Sequence, residues 1–169
     1  MEDLVQKAKA RDADAFTALM QSQMQSMYKI ARAILSSEAD IEDAISETIL
    51  TCWEKLDSLR EPAWFHTWMT RILINKCNDL IRQSTKYTLP GSLPDEEVTD
   101  NGYANIEWTE ALKRLDEKYR LVMMLYYVEA CKVSEISMIL DIPESTVRTQ
   151  LSRGRQKLAM DCKGKGEAV

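Results

Sequence analysis

At 169 residues the chain is long enough for one or two small domains, and 45% hydrophobic residues with only 5 glycines and 4 prolines favour helices over a turn-rich β architecture. The 4 cysteines, Cys52, Cys77, Cys131 and Cys162, lie far apart and the only histidine is His66, which argues against a disulfide framework or a zinc site and for reduced cytosolic thiols. The formal charge of −5 argues against tight binding to free nucleic acid, because phosphate neutralisation dominates that affinity.

The charge is unevenly spread. Residues 142–169 carry six basic groups against three acids, a net of +3, which leaves −8 on the remainder. An acidic body with a basic end suits DNA bound with help from a partner. The N-terminus has no basic start and no apolar run, so no signal peptide is expected. No segment approaches membrane-spanning length, and direct insertion into a bilayer is not expected either.

Residues 4–36 read as one or two helices, with Met24, Met27, Tyr28, Ala31, Ile34 and Leu35 on one face. Such a methionine stripe is read as adaptable packing. Ser36-Ser37 ends the run, and the next helix spans about Asp40 to Leu59, burying Ile41, Ile45, Ile49, Cys52, Leu56 and Leu59. Opposite that face stand Asp40, Asp43, Glu47, Leu50 and Glu54. These acids lack the alternating loop ligands and glycine turn of a calcium site, and no histidine on a partnering helix accompanies them, so no metal is expected. Nothing in the pattern suggests a desolvated cleft for acid–base catalysis. Two readings stay open: a solvated face, or a docking face for a basic partner with Leu50 exposed among the acids and Trp53 nearby.

Arg60-Glu61-Pro62 interrupts the helix, and Trp64, Phe65 and Trp68 follow. Such a cluster can stack unpaired bases. Phe65 and Trp68 fall toward the apolar side of the next helix and are read as structural, whereas Trp64 stays open. That helix, about Phe65 to Arg82, carries Arg71, Asn75, Asn78 and Arg82 at i, i+4, i+7 and i+11. Arginine suits phosphate and asparagine suits base edges, so the stripe favours nucleic acid over a solvated face. Gln83 to Asn105, with two prolines, two glycines and several acids, reads as a linker between two domains.

From Ile106 the helical spacing returns. Ala111, Leu112 and Leu115 pack one helix, and Tyr119, Val122, Met123 and Tyr126 the next, broadened by Leu121, Leu125 and Val128. Val133 to Leu158 then reads as two short helices joined by a tight turn. Ser134 is the expected cap of the first, with Glu135 in its opening turn and Ile136, Ile139 and Leu140 on its buried face. Asp141-Ile142-Pro143 forms the turn, since Asp tolerates a left-handed backbone and Pro suits the first turn of a helix. Val147, Leu151, Gly154 and Leu158 make the apolar face of the second helix. Ser145, Thr149, Ser152 and Gln156 oppose it, flanked by Arg148 and Arg153. Hydroxyls, an amide and guanidinium groups on one exposed face are what major-groove reading requires. A solvated helical hairpin is the plainer alternative, and the three-residue turn weighs against it.

The expected fold is all-α, with two small helical domains joined by a flexible linker. Residues 1–83 form the first domain, 84–105 the acidic linker, 106–160 a four-helix domain with a helix-turn-helix, and 161–169 a disordered tail.

Taken together, these blocks resemble a bacterial sigma factor of the extracytoplasmic-function (ECF) group. Asp40-Ile41-Glu42-Asp43-Ala44-Ile45-Ser46-Glu47-Thr48 is similar to the acidic motif of that family's first domain, and Trp68 through Arg82 to the helix that follows it. Ala111 through Leu115, Tyr119-Arg120 and Ser134 through Leu158 resemble the second domain. Three positions depart from the pattern: Ser46 stands for a usual glutamine, Asp116 for a common proline and Gly154 for an alanine. The resemblance implies that Asp40, Asp43, Glu47 and Leu50 dock on the β′ clamp of core RNA polymerase, with the β subunit a further partner. It implies that Asn75, with Arg71, Asn78, Arg82 and Trp64 in the preceding loop, faces the −10 promoter element, where an unstacked base is captured. Ser145, Arg148, Thr149, Ser152 and Arg153 would read the −35 element. An anti-sigma factor, often membrane-bound, is implied as the partner that holds such a factor inactive, at the membrane or elsewhere in the cytoplasm. Two other classes remain: a helix-turn-helix regulator that binds DNA without polymerase, and an adaptor that holds polymerase but reads no promoter. No nucleophile, base and orienter assemble and no phosphate loop is present, so neither an enzyme nor a cofactor is expected.

Overall fold

The computed structural model describes residues 1–87 and 111–166, with no account of the side chains of Tyr87 and residues 162–166. All of the regular structure among the described residues is helical. The chain forms two compact units, Met1–Val98 and Thr99–Val169.

The first unit contains α1 (Glu2–Lys9), α2 (Ala13–Ile34), α3 (Glu38–Lys55) and α4 (Phe65–Tyr87). Residues 4–36 thus form two helices, because Arg11 takes a left-handed backbone (φ 67°) and Asp12 starts a new N-terminus. The Asp12 carboxylate accepts from the N–H groups of Asp14 and Ala15, both at 3.0 Å. These donors have no partner within the helix, which is why an acidic cap is favoured here. Ser37 caps α3 in the same way, with Oγ accepting from Asp40 N–H at 3.4 Å. Short 3-10 turns, Leu56–Ser58 and Pro62–Trp64, carry the chain from α3 into α4.

Leu19, Met27, Ile30, Ile41, Leu56, Phe65, Met69 and Leu73 are fully buried and bind α2, α3 and α4 together. Met24, expected on the buried face, is 41% exposed. It lies at the edge of the stripe, and Gln23 is buried in its stead with its amide bonded to Ser22 Oγ at 3.1 Å. The far end of α3 is tied to the α1–α2 connection. Arg11 donates to the Trp53 carbonyl (2.9 Å) and Asp57 (2.7 Å), and Lys9 donates to the Leu59 carbonyl (2.6 Å). Cations on carbonyls at a helix C-terminus complement its dipole.

The helix after the break runs past Arg82 to Tyr87, so Gln83–Tyr87 are helical and not part of a linker. Ser84 and Thr85 return hydroxyl hydrogen bonds to the Ile81 carbonyl, at 2.9 and 2.8 Å, and so stay within the helical turn. The rest of the expected linker lies outside the described residues.

In the second unit a helix ends at residue 113, followed by α5 (Glu117–Met123), a π-helical turn (Met124–Val128), α6 (Val133–Leu140) and α7 (Glu144–Gly166). Leu112, Leu115, Val122, Leu125, Ile136, Ile139, Val147 and Leu151 form its core. Asp141 is left-handed (φ 55°), as its place between α6 and α7 predicts. Ser134 does not cap α6. The helix begins one residue earlier, and Glu135 reaches back to accept from Lys132 N–H at 2.6 Å. A carboxylate at the third helical position makes the stronger, charge-assisted bond. The expected frayed tail is helical as far as Gly166. No helix among the described residues is long and apolar enough to cross a membrane.

Candidate nucleic-acid and partner-binding surfaces

The acidic face of α3 points outward. Asp43 and Glu47 are exposed, Asp40 is half-buried, and Leu50 is 52% exposed among them. The face opposite holds Ile41, Ala44, Ile45, Thr48 and Cys52 in the core. Glu47 stands 3.6 Å from Lys76 of α4, a solvated contact worth about 0–1 kcal/mol. Trp53 does not join the acidic face. Its ring packs 4.8 Å from Phe16, with the Arg11 guanidinium 5.3 Å from its centre.

On α4, Phe65 is fully buried and Trp68 half-buried, with ring centroids 6.0 Å apart, in keeping with their structural reading. Trp64 closes the 3-10 turn at 43% exposure, near the start of the polar stripe. Arg71 and Asn75 are exposed and Asn78 is half-buried. Among the described residues these three side chains make no hydrogen bond or ion pair. Arg82 is exposed and bonded to Asp79 one turn back. The structure therefore brings all four stripe residues and Trp64 onto one helix and its entry turn.

The outward face of α7 presents Ser145, Arg148, Thr149, Ser152, Arg153 and Gln156, all exposed. Arg148 is bonded to Glu144 at 2.9 Å, and the Thr149 hydroxyl to the Ser145 carbonyl at 2.9 Å. The i, i+4 pair is exposed and worth a few tenths of a kcal/mol at about 0.2–0.5.

Sequence reasoning placed Tyr119 and Tyr126 in the core and passed over Tyr127, Arg155 and Lys157. Tyr119 is indeed buried, yet it is polar at its tip. Neighbouring Arg153, a cation able to donate to it, and the Lys118 charge hold the phenol below its usual pKa against the opposing effect of burial. Lys157 binds Asp116 at 2.9 Å, which lowers the pKa of that carboxyl and raises that of the lysine. Arg155 Nε donates to Tyr127 Oη at 2.6 Å. The signal was present: a tyrosine inside an apolar run brings a hydroxyl that needs a partner.

The chain is similar to known proteins over both of its units. Residues 19–87 match the family model for Sigma-70 region 2, and residues 106–158 that for Sigma-70 region 4. The chain is 29% identical to the ECF RNA polymerase sigma factor SigW of Bacillus subtilis, over 91% of this chain and 92% of that protein. It is 28% identical to the RNA polymerase sigma factor NccH of Alcaligenes xylosoxydans, over 93% and 91%. Its fold is similar to that of CnrH, solved in complex with the cytosolic domain of CnrY, with a TM-score of 0.73 at 22% identity, covering 96% of this chain and 97% of that one. It is also similar to the sigma factor RpoE of Bartonella quintana, solved with the anti-sigma factor NepR, with a TM-score of 0.69 at 19% identity, covering 88% and 96%. Two family models in order, one on each compact unit, together match more than two thirds of the chain. The chain belongs to the ECF group of RNA polymerase sigma factors.

Proposed function

We propose that this chain recruits core RNA polymerase to promoters through two DNA contacts and one protein contact. Asp40, Asp43, Glu47 and Leu50 on α3 dock on the β′ clamp, the acids steering encounter and Leu50 anchoring it. Asn75, with Arg71, Asn78, Arg82 and Trp64, captures an unstacked base of the −10 element. Ser145, Arg148, Thr149, Ser152 and Arg153 on α7 read the −35 element in the major groove. Residues 1–83 and 106–160 are the working domains, with the acidic segment between them threading through the polymerase.

The observation that carries this reading is Leu50, an aliphatic side chain 52% exposed between carboxylates on a helix whose other face is fully packed. A purely solvated face gains nothing from an exposed leucine there. The chain supplies differential binding and no bond-making group: duplex held at one site and an extruded base at the other favour melted DNA over paired DNA. Bond formation belongs to the polymerase, and the work is done in the cytoplasm. An anti-sigma factor covering these surfaces is the inhibitor, a reading supported by the sigma factor RpoE of Bartonella quintana having been solved in complex with the anti-sigma factor NepR.

Run-off transcription with purified core polymerase and genomic DNA tests the reading. Defined start sites appear only when the chain is added. Tight duplex binding by the chain alone, without any start site, overturns it. Asp43→Lys combined with Glu47→Lys weakens core association by tenfold or more, an order-of-magnitude expectation for close charge pairs. An unchanged affinity in pull-down removes the docking face.

A further inference from the structure

Gly154 lies where α7 crosses α5. It is buried, and a Cβ there would stand 3.0 Å from Met123 Cγ and 3.7 Å from Tyr119 Cβ. The glycine's two neighbours, Arg153 and Arg155, therefore leave the crossing on opposite sides, about 160° apart around the helix axis at 3.6 residues per turn. Lys118 and Lys157 lie 5.0 and 4.9 Å from the Tyr119 ring centre. Arg155 donates through Nε to Tyr127 Oη at 2.6 Å, its guanidinium 5.6 Å from the Tyr127 ring and 5.8 Å from that of Tyr126. Tyr126 and Tyr127 lie in the π-helical turn and stand edge to face, 4.9 Å apart, beside that arginine.

The crest of α7 opposite its core is neutral: Ser145, Thr149, Ser152 and Gln156. Positive charge stands on the two flanks. A helix lying in a major groove about 12 Å wide turns its crest to the base edges and its flanks to the two sugar–phosphate strands. Guanidinium carries five N–H donors, so one bond to a tyrosine leaves most of the group available to phosphate. A side chain held in place beforehand also loses less rotamer freedom on binding.

We propose that Tyr127 is a positioning residue that holds Arg155 on one flank of α7, where it grips a phosphate of duplex DNA. This rests on α7 being the −35 helix, as proposed above. Arg155 acts on the backbone in register with the base contacts of the crest, and Tyr127 touches no DNA.

The test uses holoenzyme reconstituted from core polymerase and the full chain, bound to a promoter fragment whose start site run-off transcription has mapped. Tyr127→Phe removes the hydroxyl and keeps the ring. It weakens promoter binding about three- to tenfold, the scale of one hydrogen bond. Arg155→Ala flattens the dependence of log K on log salt by about 0.9, the slope of one phosphate contact. The effect of Tyr127→Phe vanishes in an Arg155→Ala background. A loss that persists without the arginine marks a merely structural tyrosine and overturns the proposal. Unchanged binding by Tyr127→Phe overturns it too, and leaves the −35 reading standing if Arg148→Ala still weakens binding. If Arg148→Ala and Arg153→Ala both bind as the parent does, or no start site exists, the reading of α7 and this inference fall together.

Discussion

α4 and α7 are both 23 residues long and both carry an arginine-bearing polar stripe, yet they are prepared differently. On α4, Arg71, Asn75 and Asn78 are uncommitted among the described residues. On α7, Arg148, Thr149, Arg155 and Lys157 each have an intramolecular partner. The contrast suits the two proposed targets. Duplex DNA presents phosphates at fixed spacing, so side chains fixed in advance lose little on binding. An extruded base arrives in no fixed pose, and amides with open hydrogen-bonding capacity can follow it.

The contrast can be broken at its supports or sharpened at its tips. The largest effect is expected from Phe65→Ala, which hollows the packing under the start of α4. It should cost about 3–5 kcal/mol in urea unfolding of the full chain. A cost below about 1 kcal/mol would mean that other contacts anchor that helix. Gly154→Leu forces a side chain into the crossing with Met123 and Tyr119 and should cost about 1–3 kcal/mol, with promoter binding lost in parallel. Were both to stay unchanged, the crossing could not be what sets the α7 arginines.

At the tips, Asn75→Ala should reduce open-complex formation about tenfold, the scale of one good base contact, as read by permanganate reactivity of melted thymines. Core polymerase affinity should not change, and a joint loss would move Asn75 out of the −10 role. The smallest effect concerns one buried thiol in each unit. Burial pushes both Cys52 and Cys131 up to about 12 from 9.0. A raised thiol pKa contributes stability that is whole below pH 9.0 and is lost as pH climbs toward about 12. Both thiols should therefore resist iodoacetamide at pH 8 in the native chain and react on unfolding, whereas equal labelling rates in both states would contradict their burial.

Much of the surface chemistry was legible because helix periodicity is local. The buried run Ile41, Ile45 and Cys52 fixed where Asp43 and Glu47 must point, and Val147 with Leu151 did the same for Thr149 and Ser152. The left-handed turn at Asp141 was readable for a similar reason, being set by the tolerance of one residue for one conformation. Elements ending by competition were not. Ser134 and Glu135 both suit a helix start, and the carboxylate reaching Lys132 N–H decided between them. The polar residues Gln83–Lys86 read as linker, yet they continue α4 as helix. Met24 lay on the same sequence stripe as Met27, but only Met27 faces the core of the first unit.

The sequence by itself determined that the chain is helical, that α3 is acidic outside and aliphatic inside, and that α7 carries hydroxyls opposite its buried face. Those properties follow from residue spacing along a single helix. Tertiary structure alone decided which tyrosine meets which arginine, since Tyr127 and Arg155 are 28 residues apart and meet through the crossing of α5 and α7. That crossing depends on the missing side chain of Gly154, against which Met123 and Tyr119 lie. It leaves no periodic mark, because a glycine acts here by where it lets a second helix lie.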